Sequence, residues 1–283
     1  MISDHIMFTG INILLAWSVY VILLSGSLSF ANGAFMAIGG YASGVVTTKF
    51  GLPLAVGIPI AALGTAAFGM IIGFPALRTR GIYLILVTTG IAFCVKNAIE
   101  SIPYIGGVRG MRGLVGAEPW HVWAVVAVVG VLLWLLSRTP LQRILDAIRE
   151  DELVARVMGI NTVYVKVIAF GAGAALAAVA GGLYAHYMYV INPEHFGILV
   201  SVFIVLYVIL GGINNMWGPP LGAAVMTLVP ELIRGLQGWR PIVFGVVIIV
   251  LLLVRSEGLL TFRTITARAR DAQRARTNGA PHD

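Results

Sequence analysis

SRTPLQRILDAIREDELVARVMGIN, residues 137–161, is the only long charged segment that separates apolar runs in this chain. It carries eight of the 31 charged residues, namely Arg138, Arg143, Asp146, Arg149, Glu150, Asp151, Glu152 and Arg156. Thr139 followed by Pro140 is a good helix start, with Thr as N-cap and Pro at the first helical position. Leu141, Ile144, Leu145 and Ile148 then make a single helical stripe. Continuing that stripe needs an apolar residue at 151 or 152, where Asp151 and Glu152 stand. The phase restarts with Leu153, Val154, Val157 and Met158, and Gly159 is placed to end a second helix. The spacing therefore predicts two short helices with a bend at 150–152, the second lying on the cytoplasmic face. From these residues alone, an interfacial connector and a docking knob for a soluble partner both stand as readings.

Outward from this island the chain is close to oil. It is 59% hydrophobic and 11% charged, whereas soluble domains carry about a quarter charged residues. A water-soluble core is excluded. The apolar runs are long enough to cross a ~30 Å hydrocarbon layer and are continuous rather than alternating, so they read as helices and not as barrel strands. Cys94 lies within one run, cannot form an intrachain disulfide, and reads as a packing residue. The net charge of +7 is a matter of topology and not of nucleic acid, because many basic residues flank membrane segments. No Lys or Arg precedes Lys49, and the start carries Asp4 and His5. The first run is thus expected to be a retained span and not a cleaved signal.

Nine spans are expected, at 10–29, 33–49, 53–77, 81–100, 119–137, 163–187, 196–213, 219–236 and 240–255. With the island cytoplasmic, alternation puts thirteen Lys and Arg inside against five outside, which sets the N-terminus outside and the C-terminus in the cytoplasm. Residues 1–258 form one transmembrane domain on this reading, and 259–283 a basic cytoplasmic tail that lies on the anionic leaflet or is disordered.

Two segments are broken by glycine and proline, 32–44 and 211–222 (GGINNMWGPPLG). Irregular backbone at membrane depth survives only where protein or a cavity surrounds it, and interrupted segments mark the pathway in many transporters. Asn32, Asn214, Asn215 and Trp217 therefore either line a polar path or cap broken helix ends. Gly173, Ala177 and Gly181, with Ala174, Ala178 and Gly182, give small-residue faces for close helix approach, and Gly69 and Gly73 repeat the pattern. A compact bundle follows. Lys96 and Glu100 are spaced to pair, as are Glu231 and Arg234, and His186 reads as an interface residue near a helix end. No GxxxxGK[ST], no metal-spaced histidines and no Ser, His and acid set is present, so neither ATP binding by that route, nor a metal, nor catalysis is expected.

The residues at 28–43 (LSFANGAFMAIGGYAS), 78–93 (RTRGIYLILVTTGIAF), 147–161 (AIREDELVARVMGIN) and 211–223 (GGINNMWGPPLGA) resemble, in that order, the permease family of bacterial and archaeal branched-chain amino-acid ABC transporters. The resemblance implies an all-α polytopic fold like that of vitamin-B12-type importers, in the cytoplasmic (inner) membrane. It implies a second permease subunit, two ATP-binding cassette ATPase subunits, an external solute-binding protein, a small amino-acid substrate, and no cofactor. Arg149, Glu150, Asp151, Glu152, Ala155 and Gly159 resemble the coupling motif that docks into the ATPase. The family also includes permeases for urea, amides and other small organic solutes, and a stand-alone carrier or channel is the rival from another class.

Overall fold

The computed structural model describes residues 2–79, 81–232 and 245. Three helices make its centre: α1 (Ile2–Leu24), α2 (Asn32–Thr48) and α8 (Thr162–Met188). Of the membrane-length stretch in α1, 78% is buried, against 28% for α4 (Ile82–Ser101) and α5 (Pro119–Ser137), so α1 is enclosed by the rest of the chain while α4 and α5 lie at its periphery. The small residues of α8 explain how three helices fit around it. A β-carbon on Gly181 would lie 2.0 Å from the Met36 carbonyl oxygen, and one on Gly39 2.2 Å from the Cα of Ala178. Backbone there meets backbone, as the small-residue spacing anticipates. On another side, Gly173 lies against Ser18 and Ile22 of α1, and Gly69 of α3 (Leu54–Ala76) against Ala174.

α4 is buried along one stripe, Leu84, Thr88, Ala92, Val95 and Ile99. Cys94 is exposed, and the packing role expected for it is wrong because it falls off that stripe. Lys96 and Glu100 do pair, at 3.5 Å. α5 begins where expected, through a capping box in which Glu118 and His121 bond each other's backbone. His186 is not at an interface with the membrane: it is 1% exposed, its Nδ1 2.8 Å from the Gly182 carbonyl and its Nε2 2.9 Å from the Thr47 hydroxyl.

After α5 come α6 (Pro140–Glu150) and α7 (Glu152–Val157), and after α8 a hairpin of α9 (Ile198–Gly211) and α10 (Gly218–Leu232). The hairpin closes on glycines, since a β-carbon on Gly222 would lie 2.0 Å from the Tyr207 carbonyl. Two connections are joined by a short antiparallel ribbon, β1 (Met111–Arg112) with β2 (Val190–Ile191), in the register Met111 to Ile191.

Among the described residues, six helices are long and apolar enough to cross a membrane: Asp4–Leu24, Leu54–Ala76, Ile82–Ser101, Pro119–Ser137, Thr162–Met188 and Pro193–Gly211. The expected spans at 33–49 and 219–236 correspond to α2 and α10, of 17 and 15 residues. The first helix starts and stops earlier than the expected 10–29, because Ser25 and Gly26 turn the chain, with Gly26 at φ +73°. The span 240–255, the tail 259–283 and Arg234 lie outside the described residues, apart from Gly245.

Candidate functional site

The charged island folds as two helices with its bend at Asp151, whose φ of −151° is extended. Thr139 occupies the N-cap of α6, but its hydroxyl turns back to the Leu136 carbonyl (2.7 Å) and caps nothing. Leu145 and Ile148 seat α6 on the bundle, each burial contributing about 1.5–3 kcal/mol. Asp151 caps α7, its Oδ1 accepting from the amides of Leu153 (2.8 Å) and Val154 (3.2 Å). Gly159, at φ +85°, ends it: its N–H donates to Arg156 and that of Ile160 to Ala155. That paired bonding is a Schellman end, which needs a left-handed residue and so favours glycine.

Glu152 fixes the direction of α7. Its Oε2 accepts from Lys166 Nζ at 2.8 Å, and its Oε1 from Arg156 and from the Thr162 hydroxyl, 3.2 Å away. Arg156 Nε in turn donates to Thr162 at 2.9 Å. One carboxylate thus clamps the short helix to the first turns of α8. Burial pushes the Glu152 carboxyl up, but Lys166 and Arg156 outweigh it and hold the group down at about 2, below its ordinary 4.5. The folded value is the lower one, so the clamp's contribution is complete above about pH 4.5 and is lost as pH falls toward 2. In Glu152→Gln at neutral pH, hydrogen exchange of the Ala155–Ile160 amides is expected to speed up about tenfold, the weight of one charge-assisted hydrogen bond. Unchanged exchange would mean the clamp does not hold α7.

With Glu152 engaged and Ala155 only 1% exposed, α7 presents outward, beside the exposed Arg156, four apolar side chains: Leu153 (62% exposed), Val154 (51%), Val157 (88%) and Met158 (74%). The sequence contained this face as the restarted hydrophobic phase, though its outward direction follows only from where Glu152 finds its partners. Glu150 is exposed, and Arg149 reaches sideways, Nη2 donating to Asn214 Oδ1 at 3.3 Å.

That contact brings together one residue from each proposed group, coupling and pathway. The other pathway residues separate. Asn215 caps its own turn, Oδ1 accepting from the Trp217 amide (3.2 Å). Trp217, 53% exposed, lines an apolar groove of about 580 Å³ with Trp17, Trp123 and Trp134. Asn32, by contrast, is fully buried at the first turn of α2. Its Nδ2 donates to Ser18 Oγ at 2.8 Å, and the next residue, Gly33, donates its N–H to Ser201 Oγ at 2.9 Å. Among the described residues Asn32 Oδ1 has no hydrogen-bond partner, a deficit that costs about 1–3 kcal/mol. Ser18 and Ser201 were not singled out from the sequence; as lone serines in apolar helices they carry no local signal.

A second cavity, about 220 Å³, opens between α1, α2, α8 and α9, with Leu15, Met36, Tyr184, Val200, Ile204 and Tyr207 among its walls. Among the described residues no group of three or more His, Cys, Asp or Glu is placed to hold a metal.

These parts define a polytopic, helical membrane protein with a clamped, apolar-faced helix at one end and a buried polar node in its interior. The chain belongs to the family described as branched-chain amino acid transport system / permease component, whose model matches residues 1–255. It is 31% identical over 289 residues to the high-affinity branched-chain amino acid transport system permease protein LivM of Salmonella typhimurium, covering 89% of this chain and 68% of that protein. LivM of Escherichia coli is similar to the same degree, 31% over 89% of this chain and 68% of its own length. LivH of Escherichia coli is 33% identical over 40% of this chain and 37% of its own. No solved structure matches significantly.

Proposed function

We propose that the chain is the permease subunit of an ABC importer that moves branched-chain or similar small amino acids across the inner membrane. The observation that carries this reading is the family match over residues 1–255, joined to LivM similarity along 89% of the chain. On this reading a second permease subunit completes the path, two ATPase subunits supply the work and an external solute-binding protein delivers the solute. Residues 1–258 form the transmembrane domain, with nine spans in a vitamin-B12-importer-like arrangement, the N-terminus outside, and the basic tail 259–283 in the cytoplasm. Segment 137–161 is the coupling element. Arg149, Glu150, Asp151, Glu152, Ala155 and Gly159 shape and aim it, and the apolar face of α7 enters the ATPase. Asn32, Asn214, Asn215 and Trp217 belong to the substrate side, of which Asn32 alone is buried.

The similarity of part of the chain to both LivM and LivH fits two related permeases meeting across one path. The test is uptake of leucine into liposomes holding the permease, its partner subunits and enclosed or added ATP. Uptake is expected only when the ATPases, hydrolysable ATP and binding protein are all present. Movement of leucine down its gradient through this chain alone would identify a carrier or channel instead.

A further inference from the structure

The groove of about 580 Å³ between Trp17, Trp123, Trp134 and Trp217 belongs to neither the Glu152 clamp nor the buried node. Its long wall is one stripe of α5, on which Trp123, Ala127, Gly130 and Trp134 recur every three or four residues. Trp17 of α1 is the floor, since a β-carbon on Gly130 would lie 3.1 Å from its Cη2. The polar atom of that ring is already spent, Nε1 donating to the Met216 carbonyl at 3.0 Å. Trp217, just before α10, closes the other side. α1 and α5 both have membrane length, so this carbon-lined surface lies at membrane depth. From Trp123 to Trp134 the stripe runs ~16 Å at 1.5 Å per residue, the depth of one leaflet of a ~30 Å hydrocarbon layer.

A single cation stands where the stripe ends. Arg138 follows Trp134 by one helical turn, and its Cζ lies 4.2 Å over the centre of the Trp134 ring. It is exposed, and among the described residues no carboxylate pairs with it. Asp146, the next acid along the chain, accepts instead from Gln142 at 3.2 Å. A guanidinium held over an aromatic face keeps its edge donors free, and that edge fits a phosphate in the two-pronged manner. An apolar trough one leaflet long with such a fork at its end matches a phospholipid in both parts. A zwitterionic lipid brings its own cation next to its phosphate and so sets like charge near Arg138. A lipid of net negative charge does not.

We propose that the groove binds one acyl chain of an anionic phospholipid, with the lipid's phosphate on Arg138. The chain lies along α5 from Trp134 toward Trp123 and fills the space between α5 and the turn before α10. This site requires only that the protein spans a membrane, and it goes beyond the transport reading.

The test reconstitutes the full chain into phosphatidylcholine vesicles that contain a rising fraction of either phosphatidylglycerol or phosphatidylcholine with brominated acyl chains, which quench tryptophan on contact. Trp120→Phe and Trp239→Phe are present throughout, so that of the six tryptophans only the four of the groove report. Half-maximal quenching is expected at about a tenfold lower fraction of brominated phosphatidylglycerol than of brominated phosphatidylcholine, the weight of hydrogen bonds to a charged group. Arg138→Gln, an exposed position, is expected to bring the two fractions together. Ala127→Phe fills the trough midway and is expected to lower the depth of quenching by both lipids; Val131→Phe, also exposed, reads the same should Ala127→Phe fail to reconstitute. Equal fractions for the two lipids in the parent would make the groove ordinary lipid-facing surface. A preference that survives Arg138→Gln would place the phosphate elsewhere, and quenching undiminished by both filling variants would place the chain elsewhere. Absence of quenching by either lipid would mean that protein covers the groove, whether residues 240–255, a second copy or a partner subunit. Each of these four results overturns the site.

Discussion

Gly181→Leu is expected to leave no folded permease to purify. Its β-carbon would sit 2.0 Å from the Met36 carbonyl oxygen, with the Met36 Cα 3.0 Å away, and backbone in a helix cannot step aside as a side-chain tip can. Relief requires α2 and α8 to part, which also opens the Gly39 contact with Ala178. Overpacking in a well-fitted core costs about 1–3 kcal/mol, and this case, which moves two central helices, lies at or above the upper end. The measurement is recovery of a monodisperse peak in detergent and its unfolding temperature. Gly64→Leu is the control, since a β-carbon there meets nothing within 4 Å, and it is expected to stay within about 0.5 kcal/mol of the parent. Equal recovery of the two variants would mean that α2 and α8 do not meet backbone to backbone.

Val157→Asp is expected to stop coupling without disturbing the fold. Val157 is 88% exposed, so a carboxylate there meets water in the isolated subunit. Buried in a partner's cleft, it would be an unpaired charge. Loss of a central contact of this kind is worth about 2 kcal/mol or more, so solute-stimulated ATP hydrolysis by the assembled complex should fall about thirtyfold or further. Hydrolysis equal to that of the parent would make segment 137–161 an interfacial connector, the other reading its residues allow.

The outline of the fold was legible wherever a decision was local. The bend at Asp151 and the end at Gly159 follow from hydrophobic phase and from the residue type that adopts positive φ at least cost. The limits of α5 coincide with the expected 119–137. The small residues of α8 announced close packing, though not which helices would approach. Misreadings came from distance in sequence. Asp4 looked like an extramembrane start, yet it is in α1 and accepts from the Tyr187 hydroxyl, 183 residues away. Asn214 was grouped with the pathway amides, and nothing near it in sequence announces its partner, Arg149 on the charged island. Asn32 was grouped with the amides of the broken segments, and its unmet acceptor depends on where Ser18 sends its own proton. Nothing in the order of residues states that.

α8 has a mechanical property that neither of its ends has alone. It is a single rod of 27 residues, ~40 Å long at 1.5 Å per residue. At one end Lys166 holds the Glu152 carboxylate, and near the other Tyr184 lines the cavity. For a rod of that length, a tilt of ~5° about one end sweeps the other through ~3.5 Å, roughly the thickness of an aromatic ring. A tilt of this rod at its Glu152 end would therefore displace the wall at Tyr184 by leverage alone, with no relay of side chains in between.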